Sequence, residues 1–234
     1  SGYHFQIAHL KKCYESQSVY YIEIGLYEVT REEIENEFVP ILETYLNETL
    51  DIEVLKTPMH QLGYTYLVLK HCTRYYVQYG ISQSSKDPVA CGDSYALFSM
   101  NENQYFALSD GMGSGPDAGL ESSVAIDIID EFTQCGYDEE NAVKAINSIM
   151  NMKFSEDEKF ATLDMSMIDL YTGELSVIKA GAVATFIKRY EEVDVLSDNS
   201  LPFGAVEEIE YNKKKKKLKH GDIVITISDG ILDV

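Results

Sequence analysis

Two acid–glycine pairs stand at the ends of apolar runs. Tyr105-Phe106-Ala107-Leu108-Ser109 leads into Asp110-Gly111, and Ile223-Val224-Ile225-Thr226-Ile227 leads into Ser228-Asp229-Gly230. A third acid, Asp93, lies in Cys91-Gly92-Asp93-Ser94, at the mouth of another apolar run. Three carboxylates at strand ends, each beside a glycine, can converge on one point. Carboxylate oxygens and a backbone carbonyl suit hard cations such as magnesium or manganese. Two such ions about 3.5–4 Å apart can share a carboxylate and activate a water for in-line attack on phosphorus. A single Asp-Gly pair is more often only a turn. The same Ser-Asp-Gly at two strand ends, with glycines at 111, 113 and 115 after the first, weighs toward a site.

Placing these acids together requires strands that stop at a common edge. Ser94–Met100 and Tyr105–Ser109 read as two strands joined by a turn over residues 101–104; Arg74–Ser82 reads as a strand before them and Ser84–Pro88 as a loop. A helix is expected from about Asp117 to Cys135, with Leu120, Val124, Ile128, Ile129 and Phe132 inward and Gly136 as its C-cap. Asp138 would cap a second helix that turns Ala142, Val143, Ile146 and Met150 inward. From Phe160 the period drops to two, with Leu163, Met165 and Met167 alternating with Asp164, Ser166 and Ile168. After a turn at Tyr171–Glu174, further strands read at Leu175–Ala180, Ala184–Arg189, Val193–Leu196, Ile209–Tyr211 and Ile223–Ser228. Hairpins, two consecutive helices, then hairpins again predict antiparallel sheets with helices packed on a face, an α+β layer architecture.

Upstream, Val19–Val29 reads as a strand, and Thr30-Arg31-Glu32-Glu33 fits a capping box for a helix that Pro40 should kink or restart. Ile52–Leu55 and Tyr64–Leu69 read as short strands, while residues 1–19 give no signal. The organisation expected is a small α+β segment over residues 1–74 and a larger domain over 75–234.

The 234 residues carry a formal net charge of -20. Such a field disfavours nucleic acid and anionic lipid and favours cations and basic surfaces. No apolar run approaches the roughly 20 residues of a membrane helix. The four cysteines are scattered and read as free thiols in a reducing, cytoplasmic setting, without zinc-ligand spacing. Gly113-x-Gly115-x-x-Ala118 loosely matches a dinucleotide fingerprint, but Asp130 would lie mid-helix and Asp110 would repel a pyrophosphate. None of the cysteines begins a Cys-x5-Arg phosphatase loop. Lys213–Lys217 reads as a solvated hairpin or edge strand, where lysines discourage edge pairing.

Gly92-Asp93-Ser94-Tyr95, residues 109–115, Ala161-Thr162-Leu163-Asp164, Phe186-Ile187-Lys188-Arg189, Leu201-Pro202-Phe203-Gly204 and Gly221-Asp222 through Ser228-Asp229-Gly230-Ile231 occur in that order. Together they resemble the metal-dependent, type 2C Ser/Thr protein phosphatases, and more closely the phosphatase domain of the stage II sporulation protein E family. The resemblance covers about residues 75–234 and places residues 1–74 in the regulatory segment before that domain. It implies an antiparallel β-sandwich flanked by helices, with two Mn2+ or Mg2+ ions at one end. Asp110 would bridge both metals, the Gly111 carbonyl would bind the second, Asp229 the first, and Asp93 the second or its water. Water would attack a phosphoserine with no covalent intermediate. The implied substrate is a phosphorylated anti-anti-sigma protein, whose dephosphorylation activates a sporulation sigma factor. The helices over about 117–151 are associated with switching and homodimer contacts. The parent protein would carry membrane helices upstream, leaving this part cytoplasmic.

The family pattern has a further Asp-Asp-Met-Thr-type motif whose Asp also binds the first metal, whereas this sequence stops at Ile231-Leu232-Asp233-Val234. The expectation is a C-terminally incomplete domain, an incomplete first metal site and weak or no phosphatase activity. The rival readings are a non-catalytic binding module of the same fold and a stress-response phosphatase of the same wider family.

Overall fold

The computed structural model describes residues 5–14, 20–56, 64–85, 91–137, 139–154, 160–207, 209 and 211–232. The chain divides into two compact units, Ser1–Arg74 and Tyr75–Val234.

In the first unit, β1 (Gln6–Tyr14) and β2 (Tyr20–Tyr27) precede a helical segment, and β3 (Leu50–Lys56) and β4 (Thr65–His71) follow it. The four strands form one antiparallel sheet in the order β1-β2-β4-β3. The Thr30 hydroxyl accepts the Glu33 N–H at 3.2 Å, and the Glu33 carboxylate accepts the Thr30 N–H at 2.8 Å, completing the capping box. α1 (Arg31–Glu33) widens into a π-turn over Ile34–Phe38 and resumes as α2 (Val39–Leu46). Pro40 lies in the first turn of α2, where its missing N–H is not needed. Ile22, Ile24, Leu26, Leu67 and Leu69 meet Ile34 and Phe38 in the core. β1 occupies residues that carried no sequence signal: Ile7 and Leu10 are exposed, so burial imposes no clean alternation on this edge strand.

The second unit runs through β5 (Asp93–Met100), β6 (Asn103–Asp110), α3 (Pro116–Gln134), α4 (Glu139–Phe154), β7 (Leu163–Asp169) and β8 (Glu174–Ala180). It continues through β9 (Thr185–Arg189), β10 (Glu192–Leu196), β11 (Asn212–Lys217) and β12 (Ile223–Ile225). A five-stranded sheet has the order β11-β8-β7-β6-β5 and a three-stranded sheet the order β10-β9-β12. The ladders between these strands are antiparallel. Ala125, Ile129, Val143, Ile146 and Met150 of the helices pack on Ala107, Leu163, Met165 and Ile178. From the opposite face of β8, Leu175 and Val177 meet Ile187, Leu196 and Val224 of the smaller sheet. The result is a β-sandwich with helices on the outer face of its larger sheet. Full burial of each valine, leucine, isoleucine or methionine among these core residues contributes about 1.5–3 kcal/mol.

Several local expectations are corrected. Residues 74–82 form no strand: Tyr76, Tyr79 and Ile81 are exposed, and the Tyr75 N–H donates to the Leu170 carbonyl at 3.0 Å outside any ladder. The β5–β6 turn is tighter than expected, because Asn101 and Glu102 both take positive φ (48° and 56°) and let pairing resume at Asn103. α3 buries Ala118, Glu121, Ser122, Ala125 and Ile129, whereas Leu120 is exposed and Val124, Ile128 and Phe132 are only partly buried. The helix lies too close to the backbone below it for large side chains at its start: a Cβ on Gly119 would stand 2.7 Å from the Cys91 carbonyl. Gly136, at φ +81°, ends α3 as expected, with Tyr137 N–H donating to the Phe132 carbonyl at 3.0 Å. The lysine run is itself β11, the edge of the five-stranded sheet, whereas Ile209 and Tyr211 are not in a strand. β12 ends at Ile225, short of Ser228. The Asp138 cap, Glu210 and part of the Ser84–Pro88 loop lie outside the described residues.

Candidate functional site

Strand register brings the first two acids together. Asp93 and Asp110 are direct partners across the β5–β6 ladder. Like charges placed directly opposite each other oppose folding. Asp229 opens a 3-10 turn (Asp229–Ile231) after β12 and joins them, close enough that both Asp93 and Asp229 act on the Asp110 carboxyl. Burial, then the Asp93 and Asp229 charges, push the Asp110 carboxyl up to about 8. The Ser228 hydroxyl donates to Asp93 Oδ2 at 2.9 Å, tying the two Ser-Asp-Gly neighbourhoods together.

The backbone around Asp110 is held by a residue that sequence reasoning quoted but gave no role. Thr162 Oγ1 accepts the Asp110 N–H at 2.9 Å, and the Thr162 N–H donates to the Asp110 carbonyl at 2.9 Å. Ser109 Oγ donates to the Thr162 carbonyl at 2.7 Å. Gly111 admits no side chain, since a Cβ there would meet the Ala118 carbonyl at 1.9 Å. Its N–H donates to the Gly92 carbonyl at 3.2 Å. The buried Glu121 carboxylate of α3 accepts the Met112 N–H at 3.0 Å. Gly113 and Gly115, at φ +89° and +83°, then turn the chain into Pro116 and α3.

A cavity of about 100 Å3 opens here, its walls including Asp110, Thr162, Asp164, Val183, Ser228 and Asp229. Asp164 was expected to alternate with core residues, yet it is 1% exposed, because β7 is covered on both faces. It faces Lys179 across the β7–β8 ladder and forms an ion pair with its ammonium. Thr185 Oγ1 donates to the same Asp164 oxygen, Oδ2, at 2.6 Å. Burial pushes Asp164 up and Lys179 down, and their mutual attraction opposes both shifts. The sequence signal for this pair was an acid near the start of one strand and a lysine near the end of the next, each flanked by apolar residues.

The donor set of the acid trio is entirely oxygen, and its mutual repulsion is what a hard divalent cation relieves. In that chemical sense Asp93, Asp110, Asp229 and the Gly111 carbonyl fit such a cation. Among the described residues, no group of three or more acid, histidine or cysteine side chains is arranged to hold a metal ion.

Comparison with known proteins places this arrangement. The family model described as Stage II sporulation protein E (SpoIIE) matches residues 101–234, more than half of the chain. The chain belongs to the SpoIIE family. Stage II sporulation protein E of Priestia megaterium is 33% identical over 205 residues, covering 87% of this chain and 35% of that protein. The Bacillus subtilis (strain 168) protein is 33% identical over 203 residues, covering 86% of this chain and 24% of that one. The chain thus spans about a third or less of these relatives. The solved PP2C phosphatase domain with a fragment of the regulatory domain of SpoIIE from Bacillus subtilis superposes with a TM-score of 0.74 at 30% identity, covering 99% of this chain and 68% of that one. RsbX in complex with magnesium shares the fold, with a TM-score of 0.51 at 20% identity over 60% of this chain and 68% of that one. The antiparallel sandwich of this SpoIIE-family chain is therefore a PP2C-type phosphatase fold.

Proposed function

We propose that the unit spanning residues 75–234 is the catalytic portion of a metal-dependent serine/threonine protein phosphatase. The observation that carries this reading is the juxtaposition of Asp93 and Asp110 across one ladder with Asp229 alongside. An acid whose carboxyl is strongly perturbed by burial and by two neighbouring acids in a cleft marks a candidate functional site.

In this reading the Asp110 and Asp229 carboxylates and the Gly111 carbonyl would hold two Mn2+ or Mg2+ ions, and Asp93 would hold one of them or its water. When bound, the ions supply a Lewis acid for the phosphoryl group and lower the pKa of water. The chain supplies position. Thr162 locks the Asp110 backbone from both sides, and Ser228 aims Asp93. The glycine at 111 keeps its carbonyl free of side-chain cover on that residue. The magnesium in the RsbX structure supports a divalent cation in this fold.

The substrate we propose is a phosphoserine on an anti-anti-sigma protein, with activation of a sporulation sigma factor as the outcome. The reading extends to a cytoplasmic domain of a membrane-anchored parent, with residues 1–74 regulatory and the 117–151 helices at a homodimer contact. The test is manganese-dependent release of phosphate from a phosphorylated anti-anti-sigma protein, by this chain and by one extended through the Asp-Asp-Met-Thr-type motif. Release abolished by Asp110→Ala supports the enzyme. Binding of that protein with no release, indifferent to manganese and to Asp110→Ala, supports a recognition module instead.

A further inference from the structure

Asp164 uses only half of its carboxylate. Oδ2 takes the Lys179 ammonium and the Thr185 hydroxyl. Oδ1 is buried with no hydrogen-bond partner among the described residues. Leaving such an atom dry costs the desolvation that its lost hydrogen bond would have offset. Asp164 is also a wall of the cavity that holds Asp110 and Asp229. At about 100 Å3, that cavity has room for water, and Asp110, Thr162, Ser228 and Asp229 give it polar neighbours.

Lys179 is equally specific. Its ammonium also donates to the Val183 carbonyl at 2.6 Å, and its own carbonyl accepts Ser200 Oγ at 3.0 Å. Val183, with Gly181 and Ala182, forms the adjoining cavity wall. A Cβ on Gly181 would stand 2.7 Å from Pro202, so this wall is pressed from behind as well as tied to Lys179. An ion pair serving only to join two strands has no reason to line a polar cavity with one of its oxygens unpartnered, or to fix the loop beside it.

We propose that Asp164 and Lys179 are a buried positioning pair for this site: Lys179 neutralises Asp164 and pins the 181–183 wall, and Asp164 Oδ1 holds an ordered water in the cavity beside Asp110 and Asp229. The water belongs to the space that a phosphoryl group would enter, so the pair sets geometry for the reacting group without touching it. The kinetic part of this inference rests on the phosphatase reading; the structural part does not.

A crystal structure of this chain, at a resolution that shows solvent, tests the structural part. A water within about 3 Å of Asp164 Oδ1 is expected. A dry Oδ1, or one paired with a protein donor, overturns the inference. The kinetic part uses the neutral double variant Asp164→Asn/Lys179→Met, which avoids leaving one buried charge alone. Relative to the wild type, kcat should fall about 10- to 100-fold, as for lost outer-shell partners. KM for the phosphoprotein and manganese affinity, by calorimetry, should each stay within about threefold. A folded double variant with kcat within threefold of wild type overturns the positioning role. No manganese-dependent turnover by this chain or by one extended through the Asp-Asp-Met-Thr-type motif overturns the phosphatase reading, and the crystal then decides the water by itself.

Discussion

Two cross-strand pairs in the larger sheet treat buried charge in opposite ways. On β7 and β8, Asp164 faces Lys179, and the two neutralise each other. On β5 and β6, Asp93 faces Asp110, and the next group to arrive is a third acid, Asp229. Ladder register puts partners opposite each other in both cases. The first pair closes its electrostatics inside the protein; the second leaves a negative surplus that only a proton or an external cation can balance. In the proposed reading, the contrast separates acids that position the site from acids that form it.

Four measurements sharpen or break that contrast. The largest effect should come from Asp110→Ala, which should lower manganese-dependent phosphate release on the order of 1000-fold, the several kcal/mol attributed to metal-assisted catalysis. Activity within tenfold of wild type would move the site elsewhere. Lys179→Met alone should cost about 3–5 kcal/mol in urea unfolding, because it strands a buried carboxylate. Restoring neutrality with Asp164→Asn should recover most of that loss; a cost under about 1 kcal/mol for the single variant would place the pair among weak surface bridges.

The third measurement is pH. Unfolded, Asp110 releases its proton near 3.8; folded, it holds the proton up to about 8. Stability from this group is complete below about pH 4 and is lost as pH rises through about 8. Without metal, the wild type should lose several degrees of Tm between pH 5 and pH 8 relative to Asp110→Asn, at about 2–4 °C per kcal/mol. Added manganese should reverse the difference at pH 8, since cations compete with the proton. Equal pH slopes in the two proteins would contradict the crowding of the trio. The smallest effect belongs to Lys216→Gln: its contact with Asp194, 3.4 Å long and exposed on the lysine edge, should be worth about 0.2–1 kcal/mol by thermal melts.

The sandwich and its acids were legible because their signals are local. Strand ends, glycine loops and Ser-Asp-Gly repeats can be read without knowing what pairs with what. Asp93 and Asp110 end neighbouring hairpin strands, so one short turn brings them together. Legibility failed where a neighbour decides the outcome. Residues 74–82 have strand-like residues and no ladder, and Ile209 and Tyr211 likewise stand outside any strand. Asp164 looked like the polar half of an alternating strand, because a second sheet covering that face leaves no trace in β7 itself. Thr162 was visible, but its hydrogen bonds to Asp110 cross 52 positions of sequence.

The crossing of α3 over the site has a consequence for how this protein can vary. Gly92, Gly111, Ala118 and Gly119 meet with so little clearance that a methyl group on Gly111 would overlap the Ala118 carbonyl, and one on Gly119 would crowd the Cys91 carbonyl. A lineage drifting through sequence space can change the acids' surroundings almost anywhere else before it can enlarge a residue here. These four small positions are a narrow gate for substitution, and they should be among the last places in the domain where variation is tolerated.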